Sequence, residues 1–212
     1  MESVQSVTTR QLERYPIYLK YLRSMKESGV LFITSPLIAR ALSLTEEQVR
    51  KDLQLVSREQ GKPNQGRDIK NLIEDIENFL GYNDTSNAVI VGVGSLGEAF
   101  MKYKGFSDFG LNILAGFDVD ENKIGKSINS KQIFSLDKLE NLVERLQVHI
   151  AILTVPQEAA QEVVEILEKS GIKGIWNFVP THLNVSKDIV VQNVNLASSL
   201  AILSNKIDKK GR

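Results

Sequence analysis

The sequence predicts an α/β protein in two parts, a helical N-terminal domain built around a helix-turn-helix and a parallel-sheet domain behind it. Three observations carry that reading. Apolar residues recur every three to four positions through the first eighty or so residues. From Ala88 onward, short and wholly apolar runs alternate with helical periods. A glycine loop, Gly92-Val93-Gly94-Ser95-Leu96-Gly97, stands directly after the first of those runs. A chain of 212 residues, 42% hydrophobic and 25% charged, holds one large or two small domains. Lys plus Arg number 26 and Asp plus Glu number 26, so any surface for nucleic acid has to be local rather than global. There is no cysteine, which excludes a disulfide framework, a thiolate metal site and a cysteine nucleophile.

Element by element, Leu12, Tyr15, Leu19, Leu22 and Met25 describe a first amphipathic helix, with Pro16 tolerable only in its first turn. Ser35-Pro36 reads as an N-cap and first-position pair opening a short helix through Leu42. After the turn Ser43-Leu44, Thr45-Glu46-Glu47-Gln48 has the form of a capping box and starts a third helix. Two short helices joined by a few residues and backed by a longer one make a helix-turn-helix. Residues 60–67 are turn formers and cations, which suits the exposed wing of a winged helix. Between Arg50 and Lys70, six basic residues face three acidic ones, so the local positive patch belongs here. Ile69, Leu72, Ile73, Ile76, Phe79 and Leu80 mark a further helix stopped by Gly81. The expected domains are 1–81, a linker at 82–87, a sheet domain at 88–195 and a terminal helix at 196–212.

In the sheet domain, strands are expected at Ala88 to Val93, Leu111 to Phe117, His149 to Val155 and Gly174 to Phe178. Helices are expected at Leu96 to Tyr103, Leu136 to Leu146 and Gln157 to Ser170. Alternation of this kind implies a Rossmann-like parallel sheet covered on both faces. Within the glycine loop, Gly92 permits a tight turn, Gly94 lets backbone approach a pyrophosphate and Gly97 lets helix and strand pack closely. The helix start at Ser95 and Leu96 supplies free N–H groups. Asp118 follows 21 positions after Gly97 at the end of the second strand, where a carboxylate accepts from ribose hydroxyls and repels a 2′-phosphate. NADH or NAD+ is therefore the expected cofactor. Thr154, Val155 and Pro156 close a later strand at its carboxyl end and can line the nicotinamide side; Pro156 equally serves to start the next helix.

Catalysis is not expected. A dehydrogenase needs a positioned acid or base, and neither His149, at the start of an apolar strand, nor His182, in a loop, has an evident partner. Two histidines without cysteine or paired carboxylates make no metal site. The longest apolar run, Ala151 to Pro156, falls far short of the ~20 residues that span a membrane. Met1 to Arg10 lacks the apolar core of a signal peptide, so the expectation is a cytoplasmic protein. The rival from another class is a small NAD-dependent oxidoreductase or nucleotide-binding protein with an appended helical domain.

Five segments in order, Val49-Arg50-Lys51-Asp52-Leu53, the Gly92 to Gly97 loop, Gly116 to Asp120 with Lys123-Ile124-Gly125, Leu153 to Pro156, and Gly171 to Pro180, resemble the Rex family of redox-sensing repressors. The resemblance implies a homodimer in which a winged helix binds double-stranded operator DNA and a Rossmann domain binds NADH. It also implies a C-terminal helix exchanged between subunits and release from DNA by NADH. On that reading Gln48, Arg50 and Lys51 face the major groove and Lys62 and Arg67 contact DNA from the wing. The chain departs from the family's aromatic, glycine-rich wing, carries Lys20 where an arginine is usual, and has Asn195 near a usual aspartate.

Overall fold

The computed structural model describes residues 7–58, 61, 66–82 and 86–210. The chain divides into two compact units, Met1–Asp84 and Thr85–Arg212.

In the first unit, α1 (Thr9–Leu12) opens with a capping box of Thr8 and Gln11, and α2 (Tyr15–Glu27) follows after a break, with Pro16 in its first turn. The single first helix expected from Leu12 is thus two pieces. β1 (Phe32–Ile33) leads into α3 (Ser35–Leu42), whose N-cap is Thr34 rather than Ser35 and makes no side-chain cap bond. Ser43 ends α3 in the left-handed conformation. α4 (Glu46–Val56) starts at the capping box read from the sequence, Thr45 with Gln48. β2 (Arg67–Asp68) pairs antiparallel with β1, Phe32 opposite Asp68 and Ile33 opposite Arg67; most of the wing expected at 60–67 lies outside the described residues. α5 (Ile69–Leu80), capped by Asp68 and stopped by Gly81, completes the unit. Its core is one cluster in which Tyr15, Tyr18, Leu22, Ile38, Val49, Leu53, Leu72 and Ile76 are buried.

The second unit is a seven-stranded sheet. β3 (Ser86–Val91), α6 (Ser95–Lys102) and β4 (Leu111–Asp118) form the first crossover. β5 (Ser127–Ile128) and β6 (Lys131–Ser135) make a short hairpin, then α7 (Leu139–Arg145), β7 (Ile150–Leu153), α8 (Ala160–Lys169), β8 (Gly174–Asn177) and β9 (Val190–Asn193) follow. The order across the sheet is β5-β6-β4-β3-β7-β8-β9, all pairs parallel except β5 with β6. The chain builds outward from β3 through β4 to β6, then returns to the other side of β3 with β7. That reversal puts a topological switch point at the carboxyl ends of β3 and β7. β6 and β9 are not among the strands expected from the sequence, because each is a short strand at or near a sheet edge, without the apolar run of β3 or β7. Two helical starts, 136–138 and 157–159, are 3-10 turns leading into α7 and α8.

Both faces of the sheet are covered. α7 and α8 share a core with Val89, Val91, Phe117, Ala151 and Leu153, while Met101 of α6 packs with Ile90, Ile113 and Ile152 on the other face. α9 (Leu196–Lys210) leaves Leu196, Leu200, Leu203 and Ile207 exposed, a single stripe at helical spacing.

Candidate functional site

The glycine loop begins where β3 ends. Gly92 takes φ +91°, and a Cβ there would lie 2.7 Å from the carbonyl oxygen of Thr154. Gly97, in the first turn of α6, faces the Gly92 carbonyl oxygen, and a Cβ would run into it and sit 3.0 Å from Thr154 Oγ1. The Thr154 hydroxyl donates to the carbonyls of Val91 and Gly92, so this residue ties β7 to the loop. Gly94 differs from both. It is the N-cap of α6 at φ −79°, and nothing lies within 4 Å of where its Cβ would be. The fold constrains Gly92 and Gly97 and leaves the space at Gly94 open, as close backbone approach to a ligand requires.

Asp118, at the end of β4, is nearly buried. Its Oδ2 accepts from Val93 N–H at 2.8 Å and from Lys123 Nζ at 3.1 Å, and its Oδ1 accepts from Asp120 N–H at 2.9 Å. Burial opposes its ionisation. The hydrogen bonds from Asp120 N–H, the Lys123 ammonium and Val93 N–H outweigh that and hold the carboxyl below the usual carboxylate range. The sequence gives it a role toward the ribose hydroxyls and against a 2′-phosphate; the structure adds another, anchoring the glycine loop through Val93.

Gly92, Gly94 and Asp118 wall a cavity of about 410 Å³ that also takes in Thr154, Val155 and Pro156, whereas Ser95, Leu96 and Gly97 of the expected cofactor set do not line it. Phe117, Leu136 and Val163 give it an apolar side, while Lys123 and Glu162 line it with charge. Helix N–H groups at a glycine loop, an apolar slot and an acid at the second strand fit a dinucleotide. Pro156 does not open the helix at its first position but precedes the 3-10 turn at Gln157. Sequence reasoning misses Lys123 as a site residue, though it lies in a segment singled out for resemblance.

Neither histidine belongs to this cavity. Both side chains are exposed, and His149 is engaged through its backbone carbonyl, which accepts from Lys173 and Gly174. Among the described residues no group of three His, Cys, Asp or Glu could hold a metal, and no helix is long and apolar enough to cross a membrane.

In the first unit, α4 turns Val49, Asp52, Leu53 and Val56 inward and leaves Gln48, Arg50 and Lys51 exposed. Arg50 enters none of the ion pairs found among the described residues. Lys51 pairs with Glu47 at 2.7 Å on the surface, and Gln48 Oε1 is occupied by the Thr45 N–H and hydroxyl. Arg67 is folded back: its Nε donates to Ser57 Oγ at 3.3 Å and burial lowers its pKa. Lys62 lies outside the described residues.

Asp52 is buried beneath this helix. Arg14 grips it through Nε at 2.6 Å and Nη2 at 2.8 Å, the Tyr18 hydroxyl donates to it at 2.7 Å, and the Tyr15 hydroxyl donates to its backbone carbonyl. Among the charges of this helix, Asp52 alone is turned inward.

A winged helix-turn-helix joined in one chain to a dinucleotide-type sheet defines a class, the DNA-binding regulators with a nucleotide-binding-type domain. Comparison with known proteins narrows it. A family model described as "Putative DNA-binding protein N-terminus" matches residues 7–54, and one described as "CoA binding domain" matches residues 83–181. The redox-sensing transcriptional repressor Rex of Treponema denticola is 41% identical over 94% of each chain. That of Carboxydothermus hydrogenoformans is 40% identical over 92% of this chain and 94% of its own. Among solved structures, RSP, a Rex-family repressor, superposes in complex with β-NAD+ and operator DNA with a TM-score of 0.90. That match has 29% identity and covers 98% of this chain and 95% of RSP. The chain belongs to the Rex family of redox-sensing transcriptional repressors; the relatives it matches are named as regulators, not enzymes.

Proposed function

We propose that this chain binds operator DNA as a cytoplasmic homodimer and is released by NADH, so that repression follows the NADH/NAD+ ratio. The observation that carries the reading is the nearly full-length likeness to a repressor solved both with NAD+ and operator DNA and, at a TM-score of 0.85, with NADH. The loop at the switch point, with open space at Gly94, supplies the matching chemistry. The exposed stripe of Leu196, Leu200, Leu203 and Ile207 on α9 supports pairing with a second copy.

The dinucleotide supplies a ring that is cationic when oxidised and neutral when reduced. The chain supplies the sensor: Val155 and Pro156 give the nicotinamide side an apolar wall that favours the neutral ring. A homodimer presents two α4 helices, and only an arrangement placing them about 34–36 Å apart reaches successive major grooves. NADH therefore has to bind the arrangement that misses this spacing more tightly, and by linkage operator DNA weakens NADH binding by the same factor. Titrating NADH into free protein and into its complex with a duplex selected from a random pool should give affinities differing about 5- to 150-fold. Equal affinities would end the redox-sensor reading.

Arg50, exposed and free of ion pairs among the described residues, is the α4 side chain best placed to read a base. Arg50→Ala should weaken specific binding by about 1–3 kcal/mol. Lys51→Ala should chiefly make the salt dependence shallower, by about 0.9 for each phosphate the side chain had neutralised. Anisotropy titrations across a salt series separate the two; no change in either would move the interface off α4.

A further inference from the structure

Three charged groups meet at the rim of the nucleotide cavity, just beyond β4. Lys123 Nζ lies 3.1 Å from Asp118 Oδ2 and 3.7 Å from Asp120 Oδ2. Its side chain is 37% exposed and lines the cavity. We propose that Lys123 is a latent 2′-phosphate site masked by Asp118 and Asp120, so that rejection of NADPH is a balance among three charges rather than the work of Asp118 alone. The inference rests on the dinucleotide reading of this cavity.

The chemistry of the corner supports it. In a sheet of this order the residue ending the second strand stands at the adenosine ribose, and a nearby cation there accommodates a 2′-phosphate. An ammonium is a compact charge that binds phosphate without demanding a fixed fork geometry. Here it is already engaged by two carboxylates, which against one ammonium leave a net charge of −1. Asp118 is fixed in that role by the N–H groups of Val93 and Asp120. Asp120 is half-exposed and is held by Asn122, which donates to it from both backbone and side chain. An incoming phosphate therefore meets an ammonium turned toward its own carboxylates. Removing either carboxylate charge takes the corner from −1 to neutrality and leaves Lys123 with one carboxylate in place of two; removing Lys123 leaves nothing to receive the phosphate.

Calorimetric titration of the full-length protein with NADH and NADPH tests this. Wild type should bind NADH and reject NADPH; failure to bind NADH removes the dinucleotide reading and the inference with it. Asp118→Asn keeps one acceptor for Val93 N–H and should raise NADPH affinity about tenfold or more, a gain that shrinks with salt. Asp120→Asn, which leaves the loop anchor intact, should raise it by a smaller factor. Adding Lys123→Met to either variant should abolish the gain. The inference is overturned if NADH binds but neither carboxylate variant gains NADPH affinity, or if the gain survives Lys123→Met.

Discussion

Asp52→Ala should cost the N-terminal unit about 3–5 kcal/mol, the cost of leaving a buried charge without its partner. Arg14 holds Asp52 bidentately, Tyr18 donates to the same carboxylate, and Gln11 reaches it at 3.4 Å. Without the carboxylate, the guanidinium and the Tyr18 hydroxyl lose their partner at the apolar core of this unit. Replacing both charges, as Arg14→Met with Asp52→Leu, should recover much of the loss, because apolar packing substitutes for a desolvated pair. DNA binding should nevertheless stay impaired in Asp52→Ala, since the cluster is what anchors the helix carrying Arg50 and Lys51. Denaturation followed by circular dichroism reports the loss, while the fluorescence of Trp176, the chain's only tryptophan and part of the sheet unit, should keep its transition. A shift of both transitions together would show that the effect is not confined to this cluster.

The same cluster sets a pH dependence. Burial works against ionisation of Asp52, but the Arg14 and Tyr18 hydrogen bonds and the Arg14 charge outweigh it and hold the carboxyl below its ordinary value. Its stabilisation is present above the unfolded value of about 3.9 and is lost as pH falls through the lower folded value. Burial, helped by the Asp52 charge, pushes the Tyr15 hydroxyl up to about 12. That contribution is present below the unfolded value of about 10 and disappears as pH rises toward 12.

Gly94→Ala should leave the fold untouched and lower NADH affinity at least about tenfold, or ~1.4 kcal/mol. The position has an ordinary extended backbone and open space where the methyl group would go, so only a ligand can object. Gly97→Ala should do the reverse in order of cause, destabilising the sheet unit by about 1–3 kcal/mol because its methyl group meets the Gly92 carbonyl, and losing NADH as a consequence. Thermal unfolding and NADH titration on both variants discriminate the roles. Normal NADH affinity in Gly94→Ala would mean that the pyrophosphate does not lie against this loop.

Much of the site is legible in the sequence because its signals are local. A capping box is a four-residue pattern, so Thr45 with Gln48 can be placed without knowing the fold. The glycine loop identifies itself by following one apolar run and opening a helical period. Asp52 carries a signal too, one easily taken for another surface charge: with Val49, Leu53 and Val56 it falls on the inward stripe of α4, where an acid signals a buried partner. Nothing in the chain near Asp52 names that partner, because Arg14 lies 38 residues away. Arg67 shows what sequence cannot supply. In a cationic loop it reads as a DNA contact, whereas the β1–β2 pairing turns it back toward Ser57.

By itself the sequence determined the two-part architecture, the helix-turn-helix, the position of the dinucleotide loop and the acid at the end of β4. These follow from periodicity, caps and glycine spacing, which act over a turn or two of chain. Only the tertiary structure decided that β6 and β9 extend the sheet, since short edge strands are stabilised by the neighbour they pair with rather than by their own composition. It alone decided that Asp118 holds Val93 and Lys123 as well as facing the cavity, and that Arg14 is the partner of Asp52. Hydrogen bonds and ion pairs depend on distances of about 3 Å between groups that folding, not sequence proximity, brings together.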